Sequence, residues 1–158
     1  MKIKGITDED FLNYKIPSMF IATSKCSFKC EKECGVEGMC QNHPLAKASE
    51  IDFSNEKIVE RFLSNDISRA VVFGGLEPLD QFEELVSLIE EFRKKTEVEI
   101  VIYTGYKKEE VSEKIEELKQ FKNIIVKFGR YIPDQQPHYD EMLGVELASD
   151  NQYAVRIS

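Results

Sequence analysis

Four cysteines, Cys26, Cys30, Cys34 and Cys40, stand in one short loop of a 158-residue chain that has no other cysteine. The stretch reads Cys26-Ser-Phe-Lys-Cys30-Glu-Lys-Glu-Cys34-Gly-Val-Glu-Gly-Met-Cys40-Gln-Asn-His43. Thiols meant for disulfides would be spread over distant segments, whereas thiols crowded into a loop rich in Gly, Lys and Glu can converge on one soft metal centre. Two centres suit them. A structural zinc site would draw its four ligands from the four thiols and His43. An iron–sulfur cluster held by three thiolates would leave one iron free for a small ligand. Zinc knuckles usually come as two Cys-x2-Cys-like pairs far apart, and the gaps here of three, three and five residues favour the cluster.

The elements that must position this loop follow from hydrophobic periodicity. Ser18-Met-Phe-Ile-Ala-Thr23 is an apolar run that ends at the cysteine loop, as a buried strand would. Ser54 is placed to cap a helix with Ile58, Val59, Phe62 and Leu63 on one face, and Ala70-Val-Val-Phe73 then forms a strand running into Gly74-Gly75. Asp80 with Glu83 reads as a capping pair ahead of Phe82, Leu85, Val86, Ile89 and Phe92 at helical spacing. Val98 to Tyr103 is a β-branched strand ending at Thr104-Gly105. A helix over 109–120 and a strand from Asn123 to Phe128 follow. Residues 129–151 read as a long ordered loop, closed by a strand from Tyr153 to Ile157. Strands alternating with helices predict an α/β domain with a mostly parallel sheet and right-handed crossovers. In such a sheet ligand groups collect at the carboxyl ends of the strands, so the cysteine loop, Gly74-Gly75 and Thr104-Gly105 are expected to meet at one edge.

At this length, with 42 % apolar residues, one domain spanning 1–158 is expected, with a cluster loop at 24–44 and a C-terminal loop and strand at 129–158. A formal net charge of −8 argues against nucleic-acid binding, because the phosphate contribution would be repulsive. No apolar run approaches the roughly 20 residues that span a bilayer. A reducing cytoplasmic location is therefore expected, where thiols favour metal or redox work.

These residues resemble a known family, the radical S-adenosylmethionine (SAM) proteins, and within it the small activating enzymes of anaerobic ribonucleotide reductase. The resemblance runs from about Met19 to the end. The family's cluster motif is Cys-x3-Cys-x2-Cys, commonly with Asn two positions after the last cysteine. Cys26-x3-Cys30 matches its first half, and Cys40-Gln41-Asn42 matches its tail, so the resemblance implies an insertion and the ligand set Cys26, Cys30 and Cys40, with Cys34 as the rival third ligand. Gly74-Gly75-Leu76-Glu77-Pro78 is similar to the family's Gly-Gly-Glu/Asp-Pro stretch, which presents backbone to the amino group of SAM; Leu76 is an extra residue. Tyr103-Thr104-Gly105-Tyr106, Gly129-Arg130-Tyr131-Ile132 and Ser149-Asp-Asn151-Gln152 resemble further family segments.

What the resemblance implies is a partial, open TIM-like β/α barrel, since a full barrel takes about 250 residues. It implies a [4Fe-4S] cluster and SAM as cofactors, with Gly74, Gly75, Glu77, Thr104 and Asn42 around SAM. The implied reaction reduces SAM to methionine and a 5′-deoxyadenosyl radical, which abstracts hydrogen from a glycine of the partner. That partner would be an anaerobic (class III) ribonucleotide reductase or another glycyl-radical enzyme, with flavodoxin or ferredoxin as electron donor. A radical SAM enzyme acting on a small molecule or peptide is the alternative within catalysis. A non-catalytic zinc or iron–sulfur module is the alternative outside it.

Overall fold

In the computed structural model, which describes residues 1–158, nine strands and five α-helices alternate in part. The strands are β1 (Lys2–Asp10), β2 (Ser18–Thr23), β3 (Ile51–Asp52), β4 (Ala70–Gly75), β5 (Glu99–Tyr103), β6 (Ile124–Phe128), β7 (His138–Asp140), β8 (Val145–Leu147) and β9 (Tyr153–Arg156). The helices are α1 (Lys29–Cys34), α2 (His43–Ala46), α3 (Asn55–Leu63), α4 (Phe82–Arg93) and α5 (Ser112–Leu118). Seven strands form one sheet in the order β3-β1-β2-β4-β5-β6-β9, and β7 with β8 forms a separate hairpin.

This sheet corrects the expected open TIM-like barrel. Only β2, β4, β5 and β6 pair in parallel; β1 lies antiparallel to both β2 and β3, and β9 lies antiparallel to β6. A barrel grows by adding further parallel β/α units, and here antiparallel strands occupy both flanks instead. The sheet is therefore mixed, and the chain is too short for a barrel. No helix is long and apolar enough to cross a membrane.

The four parallel strands are apolar on both faces because both faces are covered, which is why each reads as a continuous apolar run. On one face Met19, Ile21, Val71, Phe73, Ile100, Ile102, Ile124 and Val126 pack against α3, α4 and α5 through residues such as Phe62, Leu88, Phe92 and Leu118. Fully burying each such side chain contributes about 1.5–3 kcal/mol. On the other face Ala70, Val72, Val101 and Ile125 pack under Tyr14 from the β1–β2 connection and Leu143 and Leu147 from the hairpin. The hairpin thus replaces part of the expected loop at 129–151. It seals the lower half of this face and leaves the half nearest the strands' carboxyl ends open.

Several local expectations are met. Ser54 accepts a hydrogen bond from Lys57 N at 3.3 Å and caps α3. Others differ. Asp80 does not cap α4; residues Pro78–Gln81 form a 3-10 turn capped by Glu77, and α4 begins at Phe82. The helix expected over 109–120 is a 3-10 turn at Lys108–Val111 followed by the shorter α5.

Candidate metal centre

The cysteine loop leaves β2 at Thr23 and is shaped by α1. Gly35 ends this helix at φ 68°, the left-handed conformation common after helix C-termini, and its N–H returns to Glu31 O. Glu31 is buried, and its Oε1 accepts from Cys40 N at 3.2 Å and lies 3.1 Å from His43 Nδ1. One carboxylate thereby folds residues 35–43 back over α1 and carries Cys40 to Cys30. The Cys40 thiol lies close enough to Cys30 to raise its pKa. Cys26, Cys30 and Cys40 all line one cavity of about 330 Å³, while Cys34 is exposed and lies outside its lining.

Burial dominates the chemistry of these thiols. It pushes Cys26 up to about 12, partly opposed by Phe28 N–H donating to its Sγ at 3.3 Å; the carboxylates of Glu77 and Asp80 add to the rise. It pushes Cys30 up to about 11, with the neighbouring Cys40 adding to the rise. Protonated thiols held together in this way become ligands when a metal displaces their protons.

Opposite the cysteines the cavity is walled by the ends of β4, β5 and β6. Gly74, Gly75, Glu77, Thr104 and Asn42 all contribute to its lining, so the residues quoted for SAM share it with the three thiols. Gly75 has φ 82°, and a Cβ there would lie 2.9 Å from Leu45 Cδ2 and 3.1 Å from Ala22 Cβ. Glycine is therefore required both by backbone angle and by the close approach of α2. Glu77 is 8 % exposed and binds inward: Oε1 accepts from Leu79 N at 3.0 Å and Oε2 from Gly105 N at 2.8 Å. Burial raises its pKa to about 7 against the pull of the Gly105 N–H, the Thr104 hydroxyl and the Leu79 N–H. Its carboxylate thus ties the end of β4 to the end of β5. Asp80 serves a similar purpose, accepting from Ser27 N at 2.5 Å and from Tyr106 OH at 2.6 Å.

Three features were not read as site residues from the sequence, although the third lies within the quoted Gly129-to-Ile132 segment. One is Glu31. The second is Lys127, 6 % exposed in β6, whose Nζ donates to Gly129 O at 2.8 Å and whose pKa falls to about 8 through burial. A lysine inside the run Ile-Ile-Val-Lys-Phe was the available signal, since a polar residue within a buried strand needs a reason. The third is Arg130, just past β6, which lines the same cavity. Its backbone is held by the C-terminal segment: Asn151 Nδ2 donates to Arg130 O at 2.9 Å and Gln152 Nε2 to Gly129 O at 3.2 Å. The Ser149-to-Gln152 tail is therefore the support of the β6 exit.

A family model described as "4Fe-4S single cluster domain" matches residues 18–153, from the start of β2 to the start of β9. The chain belongs to this family. No curated protein and no solved structure matches the chain. As a 4Fe-4S single cluster domain it binds an iron–sulfur cluster, and the donor set suits one. No three His, Cys, Asp or Glu side chains stand close enough together to share a single metal ion. Three thiols lining one cavity fit a polynuclear centre, whose ligands attach to different irons.

Proposed function

We propose that this 4Fe-4S domain is a radical SAM activase that places a glycyl radical on an anaerobic ribonucleotide reductase, with Cys26, Cys30 and Cys40 as cluster ligands. The observation that carries the reading is convergence. Three thiols, two glycines at the end of β4, Glu77 and Thr104 border one cavity, at the edge where an α/β sheet presents its ligand groups. A fully wrapped cluster would use four thiols, and three leave a coordination position for a small molecule. A cavity of about 330 Å³ reaches the range of small-molecule sites, about 300–1,000 Å³.

When bound, the reduced cluster and SAM supply the one-electron cleavage that ends in removal of hydrogen from the partner's glycine. The chain's own residues bind and orient. Gly74 and Gly75 bring main chain to the ligand without a side chain in the way. Glu77 and Thr104 hold the exits of β4 and β5 in fixed relation, and Lys127 adds a positive charge to the wall. Tyr103, half-buried with its OH donating to Asn13 O at 2.6 Å, joins the same wall. Flavodoxin or ferredoxin would supply the electron.

The test is anaerobic mixing of the reconstituted protein with SAM, a low-potential reductant and a class III ribonucleotide reductase. A glycyl radical in the electron paramagnetic resonance spectrum is the expected result, abolished by Cys26→Ala or Cys30→Ala. SAM cleavage without a protein radical would move the target to a small molecule or peptide. A loaded cluster with no SAM cleavage would refute the enzyme reading and leave a non-catalytic 4Fe-4S module.

A further inference from the structure

Arg130 is 6 % exposed, and its guanidinium is only partly used. Nη2 donates to Glu110 Oε1 at 2.7 Å and Oε2 at 2.8 Å, and the guanidinium carbon stands 5.8 Å from the centroid of the Tyr106 ring. Nε lies 3.3 Å from Glu33 Oε2 but at an angle that makes no hydrogen bond, and Nη1 has no partner at all. Buried donors are nearly always satisfied, so a free N–H on a buried permanent cation points to an acceptor that arrives with a ligand. Arg130 lines the main cavity with all three cysteines, and it lines a smaller adjoining cavity of about 40 Å³ together with Cys26, Cys30 and Glu77. The thiols it shares both spaces with are thus the two that match the first half of the cluster motif.

We infer that Arg130 sets the reduction potential of the centre held by Cys26 and Cys30, its free guanidinium edge stabilising the more negative, reduced form. This rests on the ligand set proposed above. A low-potential one-electron donor would supply the electron, no bond to Arg130 would form or break, and the fixed positive charge of Arg130 would offset the added negative charge. Hydrogen bonds and net charge near the sulfurs are among the levers that set such potentials. Glu110 and Tyr106 are then positioning groups. The carboxylate grips one edge of the fork and the ring supports its face, leaving the other edge for the cavity. Glu110 also accepts from Lys29 Nζ at 2.6 Å, so the cysteine loop and Arg130 share one anchor.

The experiment is anaerobic reconstitution of wild type, Arg130→Gln, Arg130→Lys and Glu110→Gln, with iron and sulfide analysis followed by a redox titration. Arg130→Gln is expected to load iron as wild type does and to lower the equilibrium constant for one-electron reduction at least tenfold, about 59 mV. Arg130→Lys, which keeps the charge and loses the fork, should fall by less. Glu110→Gln keeps one side-chain oxygen to accept from Nη2 and hold the fork while removing a neutralising charge, so it should shift the midpoint the opposite way. A fully loaded Arg130→Gln protein with an unchanged midpoint would overturn the inference. So would a Glu110→Gln midpoint that falls with it. Should Arg130→Gln not load, unchanged midpoints in both other variants would overturn it equally. Wild-type protein that takes up no cluster would instead refute the ligand set beneath it.

Discussion

Lys127→Met separates a charge kept for a ligand from one kept for the fold. The Lys127 ammonium is buried in β6 with Gly129 O as its hydrogen-bond partner, and burial lowers its pKa from 10.5 to about 8. Each tenfold change in proton affinity is about 1.4 kcal/mol, so carrying the charge at pH 7 costs the folded state about 3 kcal/mol relative to the unfolded chain. Below about pH 8 both states are protonated and the full cost applies. Between about 8 and 10.5 the unfolded chain holds the proton that the folded protein has released, so this residue's contribution to stability rises with pH; above 10.5 the cost is gone. Methionine fills a similar volume without charge. It forfeits one hydrogen bond, about 1 kcal/mol, and Gly129 O keeps its second donor, Gln152. Lys127→Met should therefore stabilise the metal-free protein by about 2 kcal/mol at pH 7, narrowing to about 0.5 kcal/mol at pH 9.5. Urea unfolding of both proteins under reducing conditions at the two pH values measures this. A variant less stable than wild type at pH 7, or a gap that does not change with pH, would refute the reasoning. Stability gained together with SAM cleavage lost is the pattern expected of a functional charge.

Reconstituted Cys40→Ala should lose the SAM-responsive cluster and Cys34→Ala should keep it, as read by iron content and the cluster's electron paramagnetic resonance signal; the opposite result would restore Cys34 as third ligand. Glu31→Ala removes no thiol, yet it frees Cys40 N and His43 from their shared anchor. Iron occupancy should fall while far-ultraviolet circular dichroism stays at wild type, and undiminished loading would show that Glu31 does not set the loop. Gly75→Ala should cost about 1–3 kcal/mol in urea unfolding, because alanine is strained at φ 82°. Gly74→Ala, whose added Cβ would press on the Phe20 ring at 3.0–3.1 Å and touch Tyr103 Cβ at 3.6 Å without a strained backbone angle, should cost less. Equal losses would count against the backbone explanation.

Local sequence was enough for β2, β4, β5 and β6, because a strand buried on both faces must be apolar throughout, and enough for α3, whose Ser54 cap and apolar stripe lie within one short segment. From these followed the meeting of the cysteine loop, Gly74-Gly75 and Thr104 at one sheet edge, since parallel strands leave their carboxyl ends together. The flanks were decided only in three dimensions. β1 reads Lys-Ile-Lys-Gly-Ile-Thr-Asp-Glu-Asp and shows no apolar run, yet it pairs with its neighbour β2 and with the distant β3, and β9 returns to pair with β6 across the segment 129–152. Those antiparallel additions turned an expected open barrel into a mixed sheet. Residue types within the cysteine loop could not by themselves choose between Cys34 and Cys40 as neighbour of Cys30. Glu31 brings Cys40 to Cys30 by closing hydrogen bonds nine and twelve residues ahead. Lys127 and Arg130 acquire meaning only from burial, since the same side chains in water would carry no cost and no unsatisfied donor.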